Sequence, residues 1–93
     1  SEAWYQRGLL YVDFGRSEKA ISDFEAAVRT DPQHLDARLR IAAILHEGSD
    51  VEKAATAWRQ VLDVDSQNRL ARRRLEECRE QINTKREALV PKD

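Results

Sequence analysis

Cys78, His34 and His46 carry the side chains that could act as a nucleophile and its base. A thiol and an imidazole form such a pair only when the fold brings them within hydrogen-bond distance. Cys78, however, shares the apolar stripe of the last predicted helix with Leu70, Ala71, Leu75 and Ile82, and a thiol in that position is usually a small core residue. The sequence therefore predicts that the chain is not an enzyme.

Neither histidine belongs to a recognisable metal motif. His34 and His46 lie twelve positions apart, a spacing that matches no paired-ligand motif for zinc. The chain also contains no glycine-rich phosphate loop, nucleophile elbow or paired-cysteine motif, each of which would be visible in 93 residues. We therefore expect no metal, no cofactor and no small-molecule substrate.

A cluster of arginines near the carboxyl end could contact phosphates. Its members are Arg69, Arg72, Arg73, Arg74 and Arg79. Glu76, Glu77 and Glu80 interleave with them at i, i+4 spacing, which favours a self-neutralised helix in contact with solvent. Nucleic-acid contact is only a third alternative, because the whole chain has a net charge of -1.

Length and composition bound the class of protein. Of the 93 residues, 41% are hydrophobic and 35% are charged, so the chain can form one domain and is too apolar to be disordered. No stretch approaches the roughly 18 consecutive apolar residues of a membrane-spanning helix, and no signal-peptide pattern occurs, so we expect a soluble chain. The single Cys78 excludes an internal disulfide and favours the cytoplasm slightly, while the compartment stays open.

The elements that position these residues repeat along the chain. When the sequence is aligned with itself at an offset of 34 residues, the two halves match without a gap. Each half contains two apolar-periodic segments separated by a short break, a pattern typical of antiparallel helix pairs. The matched positions are Ala20 with Ala54, Phe24 with Trp58, Ala27 with Val61, Asp31 with Asp65, Gln33 with Gln67, Ala37 with Ala71, Arg38 with Arg72 and Arg40 with Arg74.

Five helices are predicted from this periodicity. The first runs from about Glu2 to Phe14 and ends at Gly15, where a positive φ is expected. The fifth runs from about Gln67 to Ala88. The expected starts of the others and the expected caps are Ser17 as the N-cap of the second helix, Pro32 in the first turn of the third, a Ser49–Glu52 capping box for the fourth and Ser66 as the cap of the fifth.

With these residues in place, the chain resembles the tetratricopeptide repeat family, whose pattern has a Trp, a Leu-Gly pair, a Tyr, then Ala, Phe, Ala and a closing Pro. Arg7 replaces the preferred Leu, which indicates a wetter outer face, while Arg38 replaces the second leading Trp and Ser66 the second closing Pro. The pattern covers residues 4–66. It matches at Trp4, Gly8, Tyr11, Gly15, Ala20, Phe24, Ala27 and Pro32, and again at Ile41, Ala42, Leu45, Ala54, Trp58 and Val61.

The resemblance implies an all-α fold, with two antiparallel helix-turn-helix repeats and a C-terminal capping helix in a fragment of a right-handed superhelical solenoid. Trp4, Phe24 and Trp58 are expected to fill the core between small residues. Because such arrays usually need about three repeats, the chain is expected to be a fragment or to pair with itself. We assign residues 1–93 to one domain, with repeat one at 1–34, repeat two at 35–68, the capping helix at 67–88 and a tail at 89–93.

In this family the first helix of each pair lines a concave groove, so the resemblance implies an adaptor or scaffold that binds a partner peptide or helix. Tyr5, Leu9, Val12 and Leu39 are expected to lie off the packing stripe and to be exposed, which favours an apolar or amphipathic partner. The implied groove residues are Glu2, Tyr5, Leu9, Val12 and Asp13 in repeat one, Asp36, Leu39, Arg40, Ala43, His46 and Glu47 in repeat two, and Arg73, Arg74 and Glu77 in the last helix.

Three alternatives concern the same surface. One family subtype binds acidic chaperone tails through a clamp of Lys, Asn, Asn, Lys and Arg, but only Arg74 matches it here, so we expect no such partner. Arg40 and Arg74 could bind other carboxylates, or pair with a neighbour such as Asp36. The apolar residues could instead join copies of the chain or neighbouring repeats. The clamp positions hold Tyr5, Leu9, Arg40, Leu70 and Arg74.

Overall fold

The computed structural model describes residues 2–89, and within them the chain forms five α-helices and no strand. Each helix packs against the next one along the chain, in an elongated shape of 56 × 29 × 18 Å. The predicted all-α class is confirmed. Leu89 belongs to the last helix, and residues 90–93 of the predicted tail lie outside the described part. The helices are α1 (Glu2–Asp13), α2 (Ser17–Thr30), α3 (Leu35–Glu47), α4 (Val51–Val64) and α5 (Arg69–Leu89).

Gly15 ends the first helix as the sequence predicts. Its φ is +72°, and the Gly15 amide donates to the Val12 carbonyl at 3.0 Å while the Arg16 amide donates to the Tyr11 carbonyl at 2.8 Å. This pair of bonds is the Schellman motif, which satisfies two helix carbonyls. Because an added Cβ would meet nothing within 4 Å, the backbone conformation alone favours glycine here.

The predicted caps at the start of α2 and α4 are wrong by one position. Ser17 is already the first residue of α2, and Arg16 before it makes no side-chain cap. At α4 the Asp50 side chain, and not that of Ser49, accepts from the Lys53 amide at 3.1 Å. The reason is geometric, because only the residue immediately before the first helical turn can reach the free amides.

The starts of α3 and α5 also differ from the prediction, and in the same way. α3 begins three residues after Pro32, and the His34 ring accepts from the Ala37 amide at 3.2 Å. One repeat later Asn68 rather than Ser66 caps α5, accepting from the Ala71 amide at 2.9 Å. In both repeats the residues before the cap form a tight turn, so the 34-residue repeat extends to its caps.

Two core clusters hold the helices together, and Ile41 packs against both. Phe24 and Trp58 are their largest fully buried side chains, as predicted. Trp4, however, is 42% exposed, so the expectation that it fills the core is wrong. Core one comprises Ala20, Phe24, Ala27 and Ala37. Core two comprises Ala42, Ala54, Ala55, Ala57, Trp58, Val61, Ala71, Leu75 and Cys78.

Replacing Gly8 by alanine will destabilise the protein. An added Cβ would lie 2.5 Å from Cε1 and 2.8 Å from Cδ1 of the buried Phe24 ring, so the two helices must move apart. Overpacking lowers the free energy of unfolding by about 1 to 3 kcal/mol. The better helix propensity of alanine raises it by about 1 kcal/mol. We expect a net loss on the order of 1 kcal/mol in urea unfolding. Gly48→Ala, whose nearest contact would be 3.4 Å, is the control and should lose nothing.

Candidate functional site

The predicted groove residues lie on α1, α3 and α5, but three of them are less exposed than the sequence predicts. The Tyr5 ring packs against Phe24 and His34, with centroid distances of 5.6 and 4.9 Å. Leu9 packs against core one, and Leu39 against core two. The expectation that they lie off the packing stripe is therefore wrong. All three remain half-buried.

The exposed apolar side chains of this surface are Val12, Ala43 and Leu70. Leu70 is 48% exposed and lies one repeat after Asp36 and two repeats after Glu2. It therefore aligns with two predicted groove residues, although the sequence pattern assigns it to the apolar stripe of the last helix. The 34-residue offset from Asp36 was the signal that could have identified it.

The charged groove residues divide into free and paired ones. Arg40 and Arg73 are exposed, and neither forms a salt bridge within residues 2–89, so the pairing of Arg40 with Asp36 does not occur there. Arg74 donates to the Glu77 carboxylate at 2.8 Å, and this hydrogen bond holds the pKa of Glu77 below its ordinary value. Arg40 and Arg73 are thus the cations available to a carboxylate of a partner.

His46 connects three helices instead of lying free in the groove. Its Nδ1 accepts from the indole N–H of Trp58 at 3.3 Å and lies 3.7 Å from the Cys78 sulfur. Because an indole nitrogen can only donate, Nδ1 is an acceptor and the proton of a neutral His46 is on Nε2. The groove residues Glu2, Asp13, Asp36 and Glu47 are exposed.

The structure does bring Cys78 and His46 together, but not as a reactive pair. Cys78 is fully buried, and burial raises the pKa of its thiol, with the nearby Glu77 carboxylate adding to the effect. A nucleophilic cysteine needs the opposite environment, electropositive and partly exposed. The arrangement is therefore that of a packed thiol beside a hydrogen-bonded imidazole.

Between residues 2 and 89 no group of three or more His, Cys, Asp or Glu side chains is arranged to hold a metal ion. None of the five described helices combines the length and the apolar character that crossing a bilayer would require.

An ion pair between an exposed arginine and a buried aspartate in the first repeat was missed by sequence reasoning. The Asp23 carboxylate, 4% exposed, accepts from Nε and Nη2 of Arg7 at 2.7 and 2.8 Å. The Arg7 guanidinium also lies 5.1 Å from the ring centroid of Trp4 and 5.8 Å from that of Tyr11. The wetter outer face expected from Arg7 is therefore only part of its role. Where the family prefers an apolar leucine, Arg7 forms a bidentate ion pair with Asp23. The sequence did contain a signal for a buried carboxylate. Asp23 lies three positions after Ala20 and four before Ala27, and therefore on the apolar stripe of α2.

Replacing Asp23 by asparagine will weaken the fold at neutral pH and flatten its acid dependence. The hydrogen bonds from Arg7 hold the pKa of Asp23 below 3.8. The ionised carboxylate therefore stabilises the fold above its unfolded pKa, and this contribution is lost as the pH falls through the lower folded pKa. Urea unfolding from neutral to strongly acid pH will show this. Asp63→Asn, at an exposed carboxylate, is the control, and equal acid dependence in Asp23→Asn and wild type would contradict the assignment.

α1 also carries an apolar surface outside the groove. Leu10 and Phe14 lie one helical turn apart and are 56% and 74% exposed. Trp4, on the same helix, is partly covered by the Arg7 guanidinium. We call Leu10 and Phe14 the end face. Exposed large side chains in such a group are typical of an interaction surface.

Comparisons with known proteins agree with the repeat pattern. The family model described as tetratricopeptide repeat matches residues 5–68. A TPR repeat-containing protein of Rhizobium etli is 30% identical over 90 residues, which are 97% of this chain and 41% of that protein. The general transcriptional corepressor ssn6 of Schizosaccharomyces pombe is 36% identical over 64 residues, 69% of this chain and 6% of the corepressor. The chain thus spans less than half the length of these curated relatives.

Proposed function

Because the chain belongs to the tetratricopeptide repeat family, whose members are generally protein–protein interaction modules, we propose that it binds a peptide or helix of a partner protein across α1, α3 and α5. The observation that carries the proposal is the exposure of Val12 and Leu70, large apolar side chains at groove positions of α1 and α5. Ala43 lies exposed on α3 between them in the repeat order.

The residues around these side chains define the chemistry of the partner. Tyr5, Leu9 and Leu39 are half-buried, so each offers part of its surface to a ligand while the rest packs in the core. Arg40 and Arg73 add two exposed cations. A partner segment with one apolar face and one or two carboxylates fits both features, as in helix-in-groove recognition.

His46, Arg74 and Asp13 contribute differently from the other proposed groove residues. The imidazole of His46 is held by Trp58, and the guanidinium of Arg74 by Glu77, so both shape the groove more than they bind a ligand. Asp13 is exposed at the end of α1, where its charge disfavours a partner that is acidic at that point. The extended acidic tail of a chaperone remains a poor fit, since Leu70 is exposed at one of the clamp positions.

The proposal can be tested without knowing the partner. Peptides selected from a random display library against the wild-type chain would be titrated by fluorescence anisotropy against Leu70→Glu and Val12→Glu. We expect each substitution to weaken binding about tenfold or more, as for a contact near the centre of an interface. Leu10→Glu, which changes an equally exposed leucine outside the groove, is the matched control. Selected peptides that bind both groove variants as tightly as wild type would refute the proposal.

A second candidate function is self-association or docking of neighbouring repeats through the end face. The observation that favours it is the exposure of Phe14, the most exposed large apolar side chain among the described residues. Helical repeats bury such faces against the adjacent repeat, so a second copy or another repeat could cover it. In this case Phe14→Glu would disperse the assembly, whereas Leu70→Glu would leave it intact.

A further inference from the structure

A cleft of about 880 Å³ lies between α2 and α4, with α3 at its base. It shares no residue with the groove, because the two surfaces use different sides of α3. On α3 the predicted groove residues include Leu39, Arg40 and Ala43, whereas Arg38, Ile41 and Leu45 line the cleft. The apolar side chains of the cleft are Ile21, Val28, Ile41, Leu45 and Ala57.

The cleft has the shape expected of a binding site for an additional helix, because one helix lines each of its two walls. α2 lines it with residues 18, 21, 25 and 28, and α4 with residues 53, 56, 57 and 60, each set at helical spacing. Short turns join α2 to α3 and α3 to α4, so α2 and α4 run in the same direction along the two walls. The cleft is therefore a channel between two helices that run in the same direction.

Charge is distributed unequally along this channel. Glu18, Asp50 and Glu52 lie at the end where α2 and α4 begin, and only Lys53 opposes them. Arg29 and Arg38 lie at the other end, near the start of α3, with Glu25 one helical turn before Arg29. Within residues 2–89 none of these side chains takes part in a salt bridge, since both salt bridges there lie outside the cleft. One end of the channel is thus acidic and the other basic.

We propose that this cleft binds an amphipathic helix of a partner protein, with one apolar face, basic side chains at one end and acidic side chains at the other. The apolar face covers Ile21, Ile41 and Leu45, which are half-buried in the free chain. Basic side chains meet Glu18 and Glu52, and acidic ones meet Arg29. Burial of the apolar face supplies the affinity, and the two charged ends fix the direction in which the helix lies. The chain then carries two separate surfaces for polypeptides.

Two designed helical peptides provide the probe. Both have the same composition and the same leucine face. The block peptide has glutamates in its first turns and lysines in its last, whereas the mixed peptide alternates the two charges at both ends. Fluorescence anisotropy should show the block peptide binding the wild-type chain about tenfold or more tightly than the mixed peptide. Equal binding, or no saturable binding of either peptide, would overturn the proposal.

Substitutions in the chain locate the binding of the block peptide. Ile21→Glu changes a cleft residue that packs against neither core, so it should preserve the helical circular dichroism spectrum and weaken binding about tenfold or more. The exposed pair Glu18→Lys with Glu52→Lys should act similarly without touching any apolar contact. Asp63→Lys, at an exposed acidic residue outside the cleft and the groove, is the control, and Val12→Glu reports the groove. Loss of binding in Val12→Glu with retention in Ile21→Glu would assign the peptide to the groove and overturn the cleft proposal.

Discussion

Replacing Phe24 by alanine will lower the free energy of unfolding by about 3 to 5 kcal/mol, a large part of the stability of so small a domain. The Phe24 ring is fully buried and packs against Tyr5 and Gly8, so its removal leaves a cavity that the helices cannot fill. Urea unfolding followed by far-ultraviolet circular dichroism will measure the loss, or show the absence of a folded baseline.

Trp4→Ala is the matched control for this substitution. It also removes a large aromatic side chain from repeat one, but that side chain is 42% exposed. The expected loss is on the order of 1 kcal/mol. Equal losses for Phe24→Ala and Trp4→Ala would contradict the assignment of the core.

Replacing Trp58 by alanine will also lower the free energy of unfolding by about 3 to 5 kcal/mol. In this case the lost contacts lie in repeat two. Trp58 is 2% exposed in the cluster that joins α3, α4 and α5, and its indole N–H donates to His46. Its loss removes both the packing and the hydrogen bond. The same unfolding measurement, with amide hydrogen exchange to locate the opened helices, will check this.

Trp58→Phe separates the two contributions. Phenylalanine keeps much of the buried volume but leaves the Nδ1 of His46 without the indole donor. Loss of that hydrogen bond is expected to cost about 1 kcal/mol, well below the cost of the alanine substitution. If the phenylalanine variant were as unstable as the alanine variant, packing of the ring would not be the main contribution of Trp58.

The sequence predicted the helices well because their signals are redundant. The apolar period, the 34-residue offset and the turn at Gly15 all support the same division of the chain. The caps were harder, because Ser49 and Asp50 are adjacent and chemically equivalent as caps. Only the conformation of the turn decides which of the two oxygens reaches the Lys53 amide.

The candidate site was predicted less completely, since exposure depends on contacts between helices that are distant in sequence. Tyr5 was identified as a groove residue, but its contact with His34 follows only from how α1 lies against the turn before α3. Leu70 was the reverse case, an apolar residue assigned to packing that is exposed at the start of α5. The position of Asp23 on the apolar stripe could have indicated a buried carboxylate, but its pairing with Arg7 could not be derived, because sixteen positions separate the two residues.

The mass of the chain in solution tests the central claim most directly, namely that the groove along α1, α3 and α5 is free to bind a partner. Sedimentation equilibrium would be measured over a wide range of protein concentration for the wild type and for Leu70→Glu. If the groove is free, the mass will be 10.7 kDa for both proteins at every concentration. A wild-type mass that rises towards about twice this value, and that Leu70→Glu returns to 10.7 kDa, would show that the groove joins copies of the chain and is not free for another partner.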